Sequence, residues 1–289
     1  MDERLCLLCV HAHPDDEASK GAGTVAKYHA EGVHTVLVCA TGGEEGDILN
    51  PAMDKPEVRE NIHEIRLEEL RRSVEVIGYD ELIMLGYRDS GMPDSEANKD
   101  PRSFAQADLD EAVGRLVEIV RRTRPQVMIT YNEDQQGYPH PDHLRVHDIS
   151  MAAFEAAADP DRFPDAGEPW QISKVYYSVW SRKRFVAMHE KFLELGLESP
   201  FDDKWFDRPS QDDSITTTID ISEQADVRRN ALLAHATQID PTSPFWFGLP
   251  PDIARTVHPF EEYLLARSLV PTETPEDDLF AGVRERVSR

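Results

Sequence analysis

The sequence predicts an α/β fold: a Rossmann-like, mostly parallel sheet with helices on both faces and a smaller C-terminal cap or subdomain. Three observations carry this. Short apolar runs alternate four times with helical stretches in the first half of the chain, the pattern of a parallel sheet built from crossover units. A polar loop marked by Gly or Pro follows each apolar run, so loop chemistry gathers at one edge of the sheet. Beyond residue 160 the alternation is less regular and richer in aromatic residues.

The first strand is the apolar run at 5–10, short enough to be fully buried. A helix spans 18–30, and Gly32 ends it. The second strand, 33–40, leads into the loop "TGGEEGDILNPAMDKP". A long amphipathic helix covers 57–77 and stops at Gly78. The third strand is 82–85, followed by "GYRDSGMPDSEANKDP" and a helix at 109–123 that Pro125 terminates. The fourth strand is 127–131; "NEDQQGYPHPDH" connects it to a helix at 144–157. In the second half, strands are expected at 175–180 and 214–221, and helices at 183–195, 224–236 and 260–268. The polar last twenty residues are expected to hug the surface or fray. The organisation expected is a catalytic core at 1–160 and, within one integrated domain, an extension at 161–289 that completes the sheet and the substrate pocket.

Composition narrows the function. With 31 Lys and Arg against 55 Asp and Glu, the net charge is −24. That opposes a nucleic-acid surface and docking on anionic membranes. No stretch reaches the roughly 18 apolar residues of a membrane span, and no signal sequence opens the chain, so the expected location is the cytoplasm. Three cysteines, Cys6, Cys9 and Cys39, all in apolar runs, form no disulfide framework.

The first loop, "HAHPDDE", concentrates ionisable groups at a strand end. His13 and Asp16, three apart in a turn shaped by Pro14, suit one metal ion, because zinc takes imidazole nitrogen and carboxylate oxygen. A third ligand is sought in the fourth loop, where "YPHPDH" offers His140, Asp142 and His143. A catalytic zinc keeps three protein ligands and one open position. The chemistry also needs an unligated carboxylate as general base and donors for the developing oxyanion. Asp15 is the natural base. His140 is the candidate cationic partner, with Asp142 orienting it, and Tyr138 is a hydroxyl donor. The set reads as metal-assisted hydrolysis of an amide or ester.

"HAHPDDE", "TGGEEG", "RDSGM" and "YPHPDH", each after a successive strand, resemble the LmbE-like (PIG-L) family of zinc amidohydrolases that deacylate glucosamine nitrogen. The resemblance implies one Zn2+ per chain on His13, Asp16 and His143; the same ligands suit Fe2+. It implies Asp15 as base, His140 as the histidine that stabilises the transition state or protonates the amine, and Tyr138 as the tyrosine that polarises the carbonyl. It places Arg66 and Asp89 where the sugar and inositol hydroxyls are held, and Glu45 and Lys20 join the substrate-binding set. For Lys20 a solvated lysine in a helical first turn is the plainer reading. Further matches, "ASKGAGT", "GDILNPAMD", "RFPDAGEPW", "SKVYY", "HATQIDP" and "DLFAGV", point to the branch that cleaves the amide between glucosamine and the cysteinyl part of mycothiol S-conjugates. The implied partner is a small glucosaminyl thiol conjugate, with homo-oligomerisation left open. The alternatives with the same residues are N-acetylglucosaminyl-inositol deacetylation and cleavage of bacillithiol conjugates.

Two other classes fit less well. A dinucleotide-binding oxidoreductase needs G-x-G-x-x-G after the first strand, where this chain has "HAHPDDE". A non-catalytic metal-binding or carbohydrate-binding module has no use for Asp15. "HATQIDPTSPFWF" fits equally a wall of the acyl pocket, through His235, Phe245, Trp246 and Phe247, or core packing. Trp170, Trp180 and Trp205 are expected in the core.

Overall fold

The computed structural model describes residues 4–135 and 138–284. Its centre is one seven-stranded sheet. The strands are β1 (Cys6–His11), β2 (His34–Thr41), β3 (Glu81–Tyr87), β4 (Val127–Thr130), β5 (Lys174–Val179), β6 (Thr217–Asp220) and β7 (Phe260–Ser268), in the order β3-β2-β1-β4-β5-β7-β6. Strands β3 to β5 of that order pair in parallel, while β7 is antiparallel to both its neighbours. The order reverses direction at β1, between β2 and β4. That is a topological switch point, where an open α/β sheet leaves a crevice at the carboxyl ends of its strands. The loops after β1 and β4 flank it.

β1 is buried along its whole length and reads as a continuous apolar run, as a strand covered on both faces must. Alternate side chains feed two apolar layers. Leu7 and Cys9 join Val25, Leu37, Leu70 and Tyr176 on one face, and Leu8 and Val10 join Val36, Val113, Leu116 and Val146 on the other.

The helices are α1 (Asp16–Ser19), α2 (Ala22–Ala30), α3 (Pro56–Glu60), α4 (Ile62–Ile77), α5 (Leu109–Thr123), α6 (Pro141–Ala156), α7 (Arg182–Glu194), α8 (Asp203–Phe206), α9 (Ala225–Ala234), α10 (Pro244–Phe247) and α11 (Pro251–Val257). Gly78, at φ 92°, ends α4 as its sequence position predicts. Two expected helices are divided. The stretch at 18–30 breaks at Gly21, whose φ of 114° is outside helical space, and the stretch at 57–77 breaks at Asn61.

The expected helix at 260–268 is instead β7. Glu, Leu and Ala favour a helix there, but pairing with β5 and β6 on both edges overrides local propensity. Near the C-terminus, Leu279, Phe280 and Val283 are buried in the layer that holds Tyr28 and Tyr176, so this segment is core rather than frayed up to residue 284. Residues 285–289 lie outside the described residues.

A buried arginine fixes the end of α6. The Arg121 guanidinium donates to the carbonyls of Ala156, Ala157, Asp159, Arg162, Phe163 and Gly167. Arg121→Met is expected to lower stability by roughly 3 kcal/mol, because buried carbonyls lose their donors at about 1–3 kcal/mol each. Urea unfolding of both forms measures this.

Candidate active site

The turn after β1 is closed by its own backbone. The amide of His13 donates to Asp16 Oδ2 at 3.0 Å, and the amide of Asp16 donates to His13 O at 3.3 Å. His13 Nδ1 therefore lies 3.5 Å from Asp16 Oδ2. From the other loop, His140 caps α6, Pro141 occupies its first position, and His143 follows in the first turn. His143 Nε2 is 3.5 Å from Asp16 Oδ2. Ligand atoms of His13, Asp16 and His143 lie within 4.8 Å of one another, and so do those of His13, Asp89 and His140.

The second nitrogens separate these two overlapping sets. His13 Nε2 faces Asp142 Oδ2 at 3.2 Å, and His143 Nδ1 faces Gln135 Oε1 at 3.1 Å. Each acceptor holds the ring proton on that nitrogen. His13 Nδ1 and His143 Nε2 are then the nitrogens that face Asp16 and would turn to a metal, His13 on giving up its second proton to the ion. In the other set His13 would use the nitrogen that Asp142 already engages. Asp142 is itself fixed by the Ser90 amide at 3.0 Å and by the Ser90 hydroxyl.

The charge balance also suits a cation. Burial pushes the His143 imidazole down to about 4, so it is neutral and able to coordinate. Burial acts the same way on His13, but hydrogen bonds from its ring to the carboxylates of Asp142, Asp16 and Asp89 outweigh it and raise that imidazole well above 6.5. Asp16 stays ionised: burial opposes this, and the ammonium of Lys20, foremost among its neighbours, holds the carboxyl below its usual range. Its Oδ2 also accepts from the Tyr131 hydroxyl at 2.6 Å. Three buried carboxylates surrounding one imidazole form a set that fits a divalent ion.

Asp15 stands beside this cluster in an unusual conformation, φ 109° and ψ −23°. Its Oδ2 is 3.1 Å from Arg66, whose guanidinium also donates to Pro14 O and Gly43 O. Burial raises the Asp15 carboxyl above its usual range, and Arg66 holds it back. His140 Nδ1 accepts from the Asp142 amide at 3.2 Å, which puts the neutral ring's proton on Nε2. Burial and the nearby His13 keep His140 below 6.5. Asp142 thus acts on His140 through its backbone and its field, while its carboxylate serves His13. Tyr138 is 55% exposed, its ring centroid 6.1 Å from that of His140. Burial raises its pKa, so it keeps its proton. Gln136 and Gly137 precede it outside the described residues.

His13, Asp15, Asp16, Lys20, Glu45, Arg66, Asp89, Tyr138, His140 and His143 all line one cavity of about 630 Å³. Asp142 lies behind it. Lys20 is paired with Asp16 Oδ1, and Glu45 with Arg88. Asp89 is held by the amides of Gly91 and Glu45 at 2.8 and 3.2 Å.

Sequence reasoning missed Tyr131, Gln135 and Ser90, which orient the ligands. It also missed the far wall of the cavity, formed by Trp180, Phe185 and Trp205 with Arg182 and Arg208. Trp170, Trp180 and Trp205, expected in the core, all pack against apolar clusters, and Trp180 and Trp205, packed on Phe185, Phe192, Phe201 and Leu249, also line the cavity. Phe185 lies 5.9 Å from Trp180 and 5.1 Å from Trp205, centroid to centroid, and the Arg208 guanidinium stacks 4.1 Å over Trp205. The wall reaches the metal loop, since Trp180 Nε1 donates to Ser19 O at 3.2 Å. Phe245 and Trp246 back the wall. His11, at the end of β1, is buried edge-on against Tyr131 and joins neither ligand set.

Comparison with known proteins finds relatives over nearly the whole length of the chain. The family model for GlcNAc-PI de-N-acetylase (PIG-L) matches residues 8–154. A mycothiol S-conjugate amidase of Streptomyces coelicolor is 46% identical, covering 99% of both chains. A 1D-myo-inositol 2-acetamido-2-deoxy-alpha-D-glucopyranoside deacetylase of Geodermatophilus obscurus is 42% identical over 96% of this chain and 97% of its own. Among solved structures, N,N'-diacetylchitobiose deacetylase of Pyrococcus horikoshii shares the fold, with TM-score 0.61 and 17% identity over 91% of this chain and 84% of that one.

Proposed function

This chain belongs to the GlcNAc-PI de-N-acetylase (PIG-L) family, and from that premise we propose that it is a zinc-dependent amidase of mycothiol S-conjugates. The bond cleaved joins glucosamine nitrogen to the cysteinyl acyl group. The products are a mercapturic acid and glucosaminyl-inositol.

The observation that carries the acyl side of this reading is the aromatic wall. An acetyl group needs space for one methyl. Here the cavity extends from the ligand cluster along Trp180, Phe185 and Trp205, a surface suited to an S-substituted cysteinyl group. The 46% identity to an amidase over nearly the whole chain points the same way.

His13, Asp16 and His143 are assigned to hold the ion. A bound zinc ion supplies Lewis acidity to the amide carbonyl and to the attacking water. Asp15 takes the proton of that water as its oxygen bonds to the carbonyl carbon. The Nε2–H of His140 and the hydroxyl of Tyr138 donate to the oxygen that gains charge. The proton held by Asp15 passes to the glucosamine nitrogen as the carbon–nitrogen bond breaks. Asp89, Arg66 and Glu45 lie on the side of the cavity assigned to the sugar and inositol.

Trp205→Ala is expected to lower kcat/KM for an S-aryl conjugate by about 10-fold or more, the scale of a lost stacking surface. The S-methyl conjugate should change less than about 3-fold. Equal losses for both conjugates would remove the wall from the acyl site.

A further inference from the structure

We propose that Glu17, held by His235 and Ser73, is a positioning residue for the base Asp15; the catalytic part of this inference rests on the function proposed above. Asp15 is a non-glycine residue at φ 109°, a region that side chains disfavour and that persists only where the surroundings impose it. The restraint comes from two residues along the chain. The Asp15 amide donates to Glu17 Oε2 at 2.9 Å, so the Glu17 side chain folds back onto the strained peptide.

Glu17 is itself fixed from elsewhere in the fold. Its other oxygen, Oε1, accepts from the Ser73 hydroxyl on α4 and lies 2.6 Å from His235 Nε2 at the end of α9. Glu17, Ser73 and His235 are all buried, and none lines the cavity. A buried carboxylate is costly unless fully partnered, and here each partner sets its direction. The far side of Asp15 is held by Arg66 on the same helix as Ser73, so α4 grips the base loop at two points.

The network also accounts for "HATQIDP". Beside His235, the amide and hydroxyl of Thr237 donate to Glu69 on α4 at 2.8 and 2.7 Å. Thr237 O accepts from the amides of Leu49 and Asn50, at 2.9 and 3.2 Å. The segment joins α4, the loop after β2 and the base loop. His235 thus acts on Asp15 through Glu17 rather than touching substrate, and the last residue of "HPDDE" has a task distinct from the metal ligands before it.

The test uses the zinc-loaded protein with Glu17→Gln, His235→Leu and His235→Gln. Three readouts are taken: kcat and KM for amide cleavage, zinc affinity by chelator competition, and hydrogen exchange of the Asp15 amide by NMR. His235→Leu and Glu17→Gln are expected to lower kcat by about 10- to 100-fold, the scale of lost orienting partners and small misplacements. KM and zinc affinity should stay within about 3-fold, and the Asp15 amide should exchange faster. His235→Gln, which restores a donor to Glu17, should recover most of kcat. Should His235→Leu fail to fold, Glu17→Gln carries the test. Unchanged kcat and unchanged exchange in Glu17→Gln would overturn the proposal, as would a parallel fall in zinc affinity and kcat. A wild-type protein inactive on every N-acyl glucosamine substrate, with exchange still accelerated in Glu17→Gln, would overturn the proposed function and leave the restraint on Asp15 standing.

Discussion

Asp15→Asn is expected to reduce kcat for amide cleavage by about 10²–10⁴-fold, the range of a lost general base. The substitution keeps the shape of the side chain and one oxygen that can still accept from Arg66. Asp15 is in neither candidate ligand set, so zinc affinity should change by no more than a few fold. Turnover and zinc content of the purified variant measure the two effects separately. If activity and zinc fell together, Asp15 would be acting on the metal. If activity persisted, another group would have to be the base. Its neighbourhood favours the assignment: the carboxyl lines the cavity, burial raises its pKa, and it is unligated, whereas Asp16 one residue on is engaged by His13, His143, Lys20 and Tyr131.

The second large effect concerns the ion. A ligand that binds only the folded chain stabilises it by about 4 kcal/mol at 1,000 times its Kd. For a chain of this size that corresponds to a rise in Tm of roughly 8 °C. Added zinc is therefore expected to raise the Tm of the chelator-treated wild type by about that amount. His13→Ala and His143→Ala are each expected to abolish the rise and the activity. His140→Ala should keep most of the rise while losing activity. That contrast separates the two overlapping clusters, because only one of them uses His140. A zinc-dependent rise lost in His140→Ala and kept in His143→Ala would reverse the ligand assignment.

Much of this site was legible in the sequence, for a physical reason. A parallel strand puts its following loop at one edge of the sheet, and the strands that end in "HAHPDDE" and "YPHPDH" are neighbours at the switch point. Periodicity therefore brought His13 and Asp16 to the same place as His140, Asp142 and His143, and the resemblance to the PIG-L family, not the pattern, singled out His143 as the third ligand. What it could not give was the orientation of their second nitrogens. Gln135 and Ser90 are ordinary polar loop residues in sequence, and only the fold sets one against His143 and the other against Asp142. The expected link from Asp142 to His140 followed from adjacency; in the structure the Asp142 carboxylate turns to His13.

The second half was harder to read because its elements are defined by partners distant in sequence. β7 carries helix-favouring residues and becomes a strand only between β5 and β6. Trp180 and Trp205 carry no sign in their local sequence of which side of an aromatic cluster they face. His235 sits in an unremarkable polar run, yet its Nε2 lies 2.6 Å from Glu17, 218 positions away in the chain. The signal that could have found this pair was Glu17 itself: a third consecutive acidic residue at a buried strand end needs a cationic or donor partner from elsewhere.

The most direct test of the central claim compares two substrates on the zinc-loaded protein. One is a mycothiol S-conjugate with an aromatic substituent; the other is N-acetylglucosaminyl-inositol. Release of the free amine gives kcat/KM for each. The aromatic wall beside the ligand cluster predicts a preference for the conjugate of about 10-fold or more, the scale of a filled apolar subsite. A higher kcat/KM for the acetylated sugar would contradict the amidase reading and make the same residues a deacetylase.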